Sequence, residues 1–199
     1  MIKHSDQRVG VFVDVQNLYY SAKNIYNSKV NFGEILNTAI AGRKLIRAFA
    51  YVVRAEAPEE QSFFDALSKQ GFELRMKDLQ IFFGGQKKGD WDVGITIDAI
   101  RLSDKLDVVV LVSGDGDYIP LVEYLKFSGQ QVEVIAYQKS SSSKLIEAAD
   151  DFIDLCLDEN KYLIRGSKKA FNLKRLVNPI QRVTRPRRRT DKIQKPNIT

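Results

Sequence analysis

Apolar runs of strand length alternate with stretches of helical periodicity from Val9 to Leu155, the pattern of repeated βαβ units. The first strand is expected over residues 9–13 (Val9-Gly10-Val11-Phe12-Val13), followed by a helical stretch near Leu18 to Ile25. Asn31 reads as an N-cap for a helix from Phe32 to Ala41, because Phe32, Ile35, Leu36, Ala39 and Ile40 fall on one helical face. A second strand spans about Leu45 to Val53. Pro58 then opens a helix that buries Phe63, Phe64 and Leu67 and stops at Gly71. Phe72 to Met76 and Leu79 to Phe83 read as short strands, before a glycine- and lysine-rich loop at residues 84–89. A helix capped by Asp90 or Asp92 runs to about Ser103. The run Val108 to Val112 is apolar throughout, as in a parallel strand buried on both faces. A helix from Tyr118 to about Ser128, a strand from Gln131 to Tyr137, a short helix from Lys144 to Ala149 and an edge strand from Phe152 to Leu155 complete the series.

Chemistry enters at the ends of two of these strands. The run 108–112 leads into Ser113-Gly114-Asp115-Gly116-Asp117, and the run 9–13 leads into Asp14-Val15-Gln16-Asn17. In open α/β sheets ligands bind just outside the carboxyl ends of the strands, so these carboxylates would converge on one rim. Crowded carboxylates raise each other's pKa, and a hard divalent cation with oxygen ligands resolves the repulsion. A third acidic element, Asp90-Trp91-Asp92 through Asp98, opens the next helix. Asp98 follows Asp92 by six residues, about 240° round a helix, so Asp92 ranks above it as a direct ligand. Plainer roles compete: Asp14 as a strand end accepting amide bonds, Asp117 as an N-cap, Asn17 in cap duty, and Asp98 on a solvated face.

Composition narrows the mechanism. The chain has one cysteine and one histidine, which argues against an internal disulfide, a Cys/His zinc site and His-based nucleophilic catalysis. The first eight residues are mostly polar and no apolar run approaches the length of a membrane span, so a cytoplasmic protein is expected. Charge is segregated: residues 161–199 carry thirteen Lys/Arg against one acid, while the rest of the chain is net negative. A basic tail on an acidic body is a footprint of phosphate-backbone binding. The division expected is a globular domain over residues 1–158 and a basic extension over 159–199, partly disordered around Arg185-Pro186-Arg187-Arg188-Arg189 and the last ten residues.

Three ordered motifs resemble one family. Phe12-Val13-Asp14-Val15-Gln16-Asn17-Leu18 is similar to the FxDxxNL opening of NYN domains, part of the PIN-like nuclease superfamily. Lys88-Gly89-Asp90-Trp91-Asp92-Val93, followed by Asp98-Ala99, resembles their K-G-x-D-V…D-A segment with one extra residue before the aspartate. Leu111-Val112-Ser113-Gly114-Asp115-Gly116-Asp117-Tyr118-Ile119-Pro120-Leu121 matches L-V-S-G-D-x-D-F-x-P-L, with Tyr118 in place of the usual phenylalanine. The resemblance covers about residues 8–156 and is closest to the LabA branch. It implies a Rossmann-like, three-layer α/β fold with a mostly parallel sheet. It also implies Mg²⁺ or Mn²⁺ held by Asp14, Asp92, Asp115 and Asp117, with Asn17 at the site and Ser113 and Asp98 in support. The implied chemistry is metal-assisted phosphodiester hydrolysis of RNA, and the implied assembly a homodimer.

For RNA contacts, Lys87 and Lys88 in the glycine-rich loop and Arg187, Arg188 and Arg189 in the tail are the candidates, with Arg54 and Lys144 weaker ones. Tyr19, Tyr20, Trp91 and Tyr118 are either base-stacking residues or core packing. A catalytically silent RNA-binding module of the same fold is the competing function. A haloacid-dehalogenase-type phosphatase fits poorly, since Asp14-Val15-Gln16-Asn17 lacks the second aspartate of DxDx[TV], and a Toprim-like site lacks its strand-end glutamate.

Overall fold

The computed structural model describes residues 3–54, 60–81 and 87–164, with the side chains at 81, 87 and 88 outside the description. The expected helix start at Pro58, the end of the expected strand 79–83 (residues 82 and 83) and the basic tail beyond residue 164 therefore lie outside the described residues. The strands are β1 (Arg8–Asp14), β2 (Lys29–Val30), β3 (Lys44–Arg54), β4 (Glu73–Asp78), β5 (Gln80–Ile81), β6 (Lys87–Lys88), β7 (Val108–Val112), β8 (Gln131–Ala136), β9 (Asp151–Asp154) and β10 (Leu163–Ile164). The helices are α1 (Val15–Tyr26), α2 (Phe32–Ile40), α3 (Glu60–Lys69), α4 (Asp92–Ser103), α5 (Ile119–Phe127), α6 (Ser143–Ala148) and α7 (Glu159–Tyr162).

Six strands form one sheet in the order β4-β3-β1-β7-β8-β9, every pair parallel. Such a sheet needs cover on both faces, and the side chains of β1 show it: Val9, Val11 and Val13 pack toward α1, α2 and α3, whereas Phe12 packs toward α4, α5 and α6. The result is a three-layer α/β fold. The chain builds outward from β1 to β3 and β4, crosses back through α4, and then builds outward the other way from β7. The direction reverses between β1 and β7, which places a topological switch point in the middle of the sheet.

Asn31 caps α2 as expected, its side chain accepting from the Glu34 amide. Gly71 and Gly129 sit at φ 99° and 93° just after α3 and α5, a left-handed geometry that stops a helix with little strain. Two features are not read from the sequence pattern. First, residues 159–164, assigned to the basic extension, turn back onto the domain. Tyr162 and Leu163 join the core, and β10 pairs antiparallel with β2. Their apolar side chains bury surface that α2 leaves open. Second, Glu133, in the middle of β8, is fully buried. It accepts two hydrogen bonds, of 2.7 and 2.9 Å, from Arg43, itself buried, and one from Lys3. A buried carboxylate is tolerated only when paired and hydrogen-bonded in this way.

Candidate active site

The sheet brings Asp14 and Ser113 to neighbouring positions, because Val13 of β1 is level with Val112 of β7. Asp14 closes β1 and also caps α1: its Oδ1 accepts the Asn17 amide at 3.0 Å. Asn17, one turn into α1, reaches across the switch point and its Oδ1 accepts the Gly114 amide at 3.0 Å. Buried Ser113 accepts the Asp115 amide through its hydroxyl at 3.3 Å. The β7 exit loop is thus fixed to α1 by a side chain and to itself by Ser113. Gly114 is required by close approach, since a Cβ there would lie 2.3 Å from Ser141 Oγ and 3.0 Å from Ser141 Cα.

The caps differ from those read in the sequence. Asp115, not Asp117, caps the short 3-10 turn Gly116–Tyr118, its Oδ1 accepting the Asp117 amide at 3.0 Å. The residue that caps α4 is Trp91, which makes no side-chain cap bond, so Asp92 is the first helical residue. The Trp91 indole instead donates to the Val52 carbonyl at 2.9 Å and packs edge-on against Tyr51. Free of cap duty, Asp92 turns toward the strand ends.

One carboxylate oxygen each from Asp92, Asp115 and Asp117 lies within 4.8 Å of the other two. Asp14 sits deeper, outside that group, and meets it through Tyr118. The buried Tyr118 hydroxyl donates toward Asp92 Oδ1 at 3.1 Å and Asp14 Oδ2 at 3.4 Å. Asp98 faces elsewhere, accepting from Tyr51 Oη and Arg75 Nε, both at 3.1 Å. Arg54 pairs with Asp78. Lys144 is exposed on α6. The contacts expected of Lys87, Lys88 and Arg187 to Arg189 fall outside the described side chains. Buried Tyr118 has no face open for stacking on a base; its contribution is the hydroxyl. Composition carries no signal for that bridge, because a tyrosine in an apolar loop–helix segment reads as packing.

The electrostatics are those of uncompensated negative charge. Among the described residues, none of Asp14, Asp92, Asp115 and Asp117 has a cationic partner. Burial pushes the Asp14 carboxyl up from 3.8 to about 6; the Asn17 amide opposes the rise, and the Asp92 and Asp115 charges add to it. Burial raises Asp92 as well, against the Tyr118 hydrogen bond and with Asp115, Asp90 and Asp117 adding to the rise. Burial, then the charges of Asp14 and Asp92, hold Tyr118 protonated. Clustered oxygen donors without nitrogen or sulfur suit a hard divalent cation. An ion bound at about 2.1 Å has ligand oxygens no more than about 4.2 Å apart, so a small contraction of the three carboxylates accommodates one.

The chain resembles known proteins over most of its length. The NYN domain family model matches residues 8–157. The low amplitude and bright protein LabA of Synechococcus elongatus is 26% identical, across 74% of this chain and 83% of that protein. An uncharacterized protein of Methanocaldococcus jannaschii is 24% identical over 77% of this chain and 57% of its own length. A crystal structure of a protein of unknown function from Vibrio parahaemolyticus is 33% identical, with a TM-score of 0.74 over 82% of this chain and all of that one.

Proposed function

We propose that this chain, which belongs to the NYN domain family, is a divalent-metal-dependent ribonuclease that hydrolyses phosphodiester bonds at the carboxylates gathered beside the β1–β7 switch point. The family is one of PIN-like nucleases, and the acidic cluster suits that chemistry. The observation that carries the reading is the convergence of Asp92, Asp115 and Asp117 at the strand ends, with no cation among the described side chains to neutralise them. An arrangement that costs stability and serves no structural pairing is expected at a functional site.

In this reading Asp92, Asp115 and Asp117 hold Mg²⁺ or Mn²⁺. When bound, the ion neutralises charge that develops on the phosphoryl group and acidifies water at the site. Asp14 supplies a fourth, buried negative charge beneath them and anchors the first turn of α1. Asn17 and Ser113 keep the exit loop of β7 at its distance from α1, so the carboxylates stay spaced as the substrate enters. Asp98 supports α4 through Tyr51 and Arg75 rather than facing the cluster. An acidic pocket repels RNA at long range. Lys87, Lys88 and the arginines at 187, 188 and 189 supply the compensating attraction to phosphate. RNA is the proposed substrate because the basic tail suits a polyanion and the family is one of PIN-like nucleases. Among the described residues no helix is long and apolar enough to cross a membrane.

The test is cleavage of labelled single-stranded RNA with Mn²⁺, with Mg²⁺ and with EDTA. Metal-dependent cleavage supports the proposal. Intact RNA in every lane, with tight salt-sensitive binding, would favour a silent RNA-binding module.

A further inference from the structure

We propose that Tyr118 is the positioning residue of this site: its hydroxyl holds Asp92 in the ion-binding group and keeps Asp14 out of it, so that a single divalent ion sits on Asp92, Asp115 and Asp117. The inference rests on reading the cluster as a metal site and concerns which carboxylates hold the ion.

Tyr118 is fully buried, and its ring packs among Phe12, Ile95, Leu121 and Leu145 on the α4–α6 side of the sheet. That packing fixes where the hydroxyl stands, 3.1 Å from Asp92 Oδ1 and 3.4 Å from Asp14 Oδ2. The hydroxyl thus fills the place between the two carboxylates that a bridging cation would need. It has one proton for two acceptors, and the shorter contact goes to Asp92. Asp14 is engaged at both oxygens, Oδ1 by the Asn17 amide and Oδ2 by Tyr118. To bind an ion it would have to give up the cap of α1 or displace a ring locked in the core. The other three need no such rupture: Asp92 keeps an oxygen free of Tyr118, Asp117 is exposed at the mouth, and all three already lie within 4.8 Å of one another.

The test is Mn²⁺ titration of the full chain by calorimetry and by electron paramagnetic resonance, for wild type, Asp115→Asn, Asp14→Asn and Tyr118→Phe, with circular dichroism as a check on folding. Wild type is expected to bind one Mn²⁺ per chain. Asp115→Asn loses a direct ligand and should bind at least about a hundredfold more weakly. Asp14→Asn removes a neighbouring negative charge but no ligand and should weaken binding by no more than about tenfold, whereas Tyr118→Phe, folded but without the hydrogen bond that orients Asp92, should bind about tenfold more weakly. The resonance spectrum of bound Mn²⁺ should change in Tyr118→Phe, which a purely structural tyrosine would not cause. Two ions per wild-type chain, an Asp14→Asn loss as large as that of Asp115→Asn, or a Tyr118→Phe titration like wild type would overturn the inference while leaving the nuclease reading standing. A wild-type chain that binds no Mn²⁺ would overturn both.

Discussion

Replacing Asp14 by asparagine should stabilise the metal-free protein, and by an amount that depends on pH. The carboxyl is raised from 3.8 to about 6 by burial and by its acidic neighbours. Below pH 3.8 it is neutral in both the folded and the unfolded chain and costs nothing. As pH rises from 3.8 toward 6 the unfolded chain releases the proton first, so folding loses stability. Above pH 6 the loss is complete, at about 3 kcal/mol from 1.36 kcal/mol per pKa unit. Asparagine keeps an oxygen for the Asn17 amide, so the cap of α1 survives. It does lose a favourable charge at the helix N-terminus, about 0.3–1 kcal/mol. The net gain should be about 2 kcal/mol at pH 8 and less than about 1 kcal/mol at pH 4. Urea denaturation in EDTA, at both pH values, measures the difference directly. A variant less stable than wild type at pH 8, or a gain that does not change with pH, would refute the argument that this carboxylate is buried against its neighbours' charge.

Two further outcomes test the support of the site and the reach of the chain. Asn17→Ala strips the Gly114 amide of its acceptor, and should cost about 1–3 kcal/mol and lower RNA cleavage while the sheet stays folded; an unchanged melting temperature and rate would show that the tether is dispensable. A chain ending at Ile164 should bind single-stranded RNA more weakly and with a shallower salt dependence, because each phosphate that the tail neutralises releases about 0.7 of a counterion; identical slopes for the two chains would remove the tail from the RNA interface.

The inner strands β1, β3, β7 and β8 are legible as largely apolar runs, β1 and β7 most clearly, because a parallel strand covered on both faces must be apolar throughout, whereas the edge strands β4 and β9 mix apolar and charged residues. The aspartates that follow β1 and β7 mark the rim for the same reason: only there does the chain emerge from cover. The resemblance to NYN motifs adds the fourth carboxylate, Asp92, which spacing alone leaves ambiguous between cap and ligand. What sequence does not supply are contacts set by distant partners. The partner of Glu133, a charge inside the apolar strand β8, is Arg43, ninety residues away in the chain. Tyr118 reads as packing until Asp14, from the other end of the domain, is brought under its hydroxyl. The caps at Asp115 and Trp91 escape residue preference because α5 is preceded by a 3-10 turn and α4 starts without a polar side-chain cap, choices made by loop geometry. Residues 159–164 group with the basic tail when charge is the guide, although Tyr162 and Leu163 complete the core.

The most direct test of the account is cleavage of a labelled single-stranded RNA by wild type and by Asp115→Asn, each in Mn²⁺ and in EDTA, with RNA binding measured on the same preparations. The account predicts cutting only by wild type and only with metal, with a loss of at least about a hundredfold in the variant, comparable to removal of a catalytic electrostatic group, and with RNA affinity preserved. Cleavage by Asp115→Asn at the wild-type rate would contradict it, because the carboxylate cluster would then not be where the chemistry occurs.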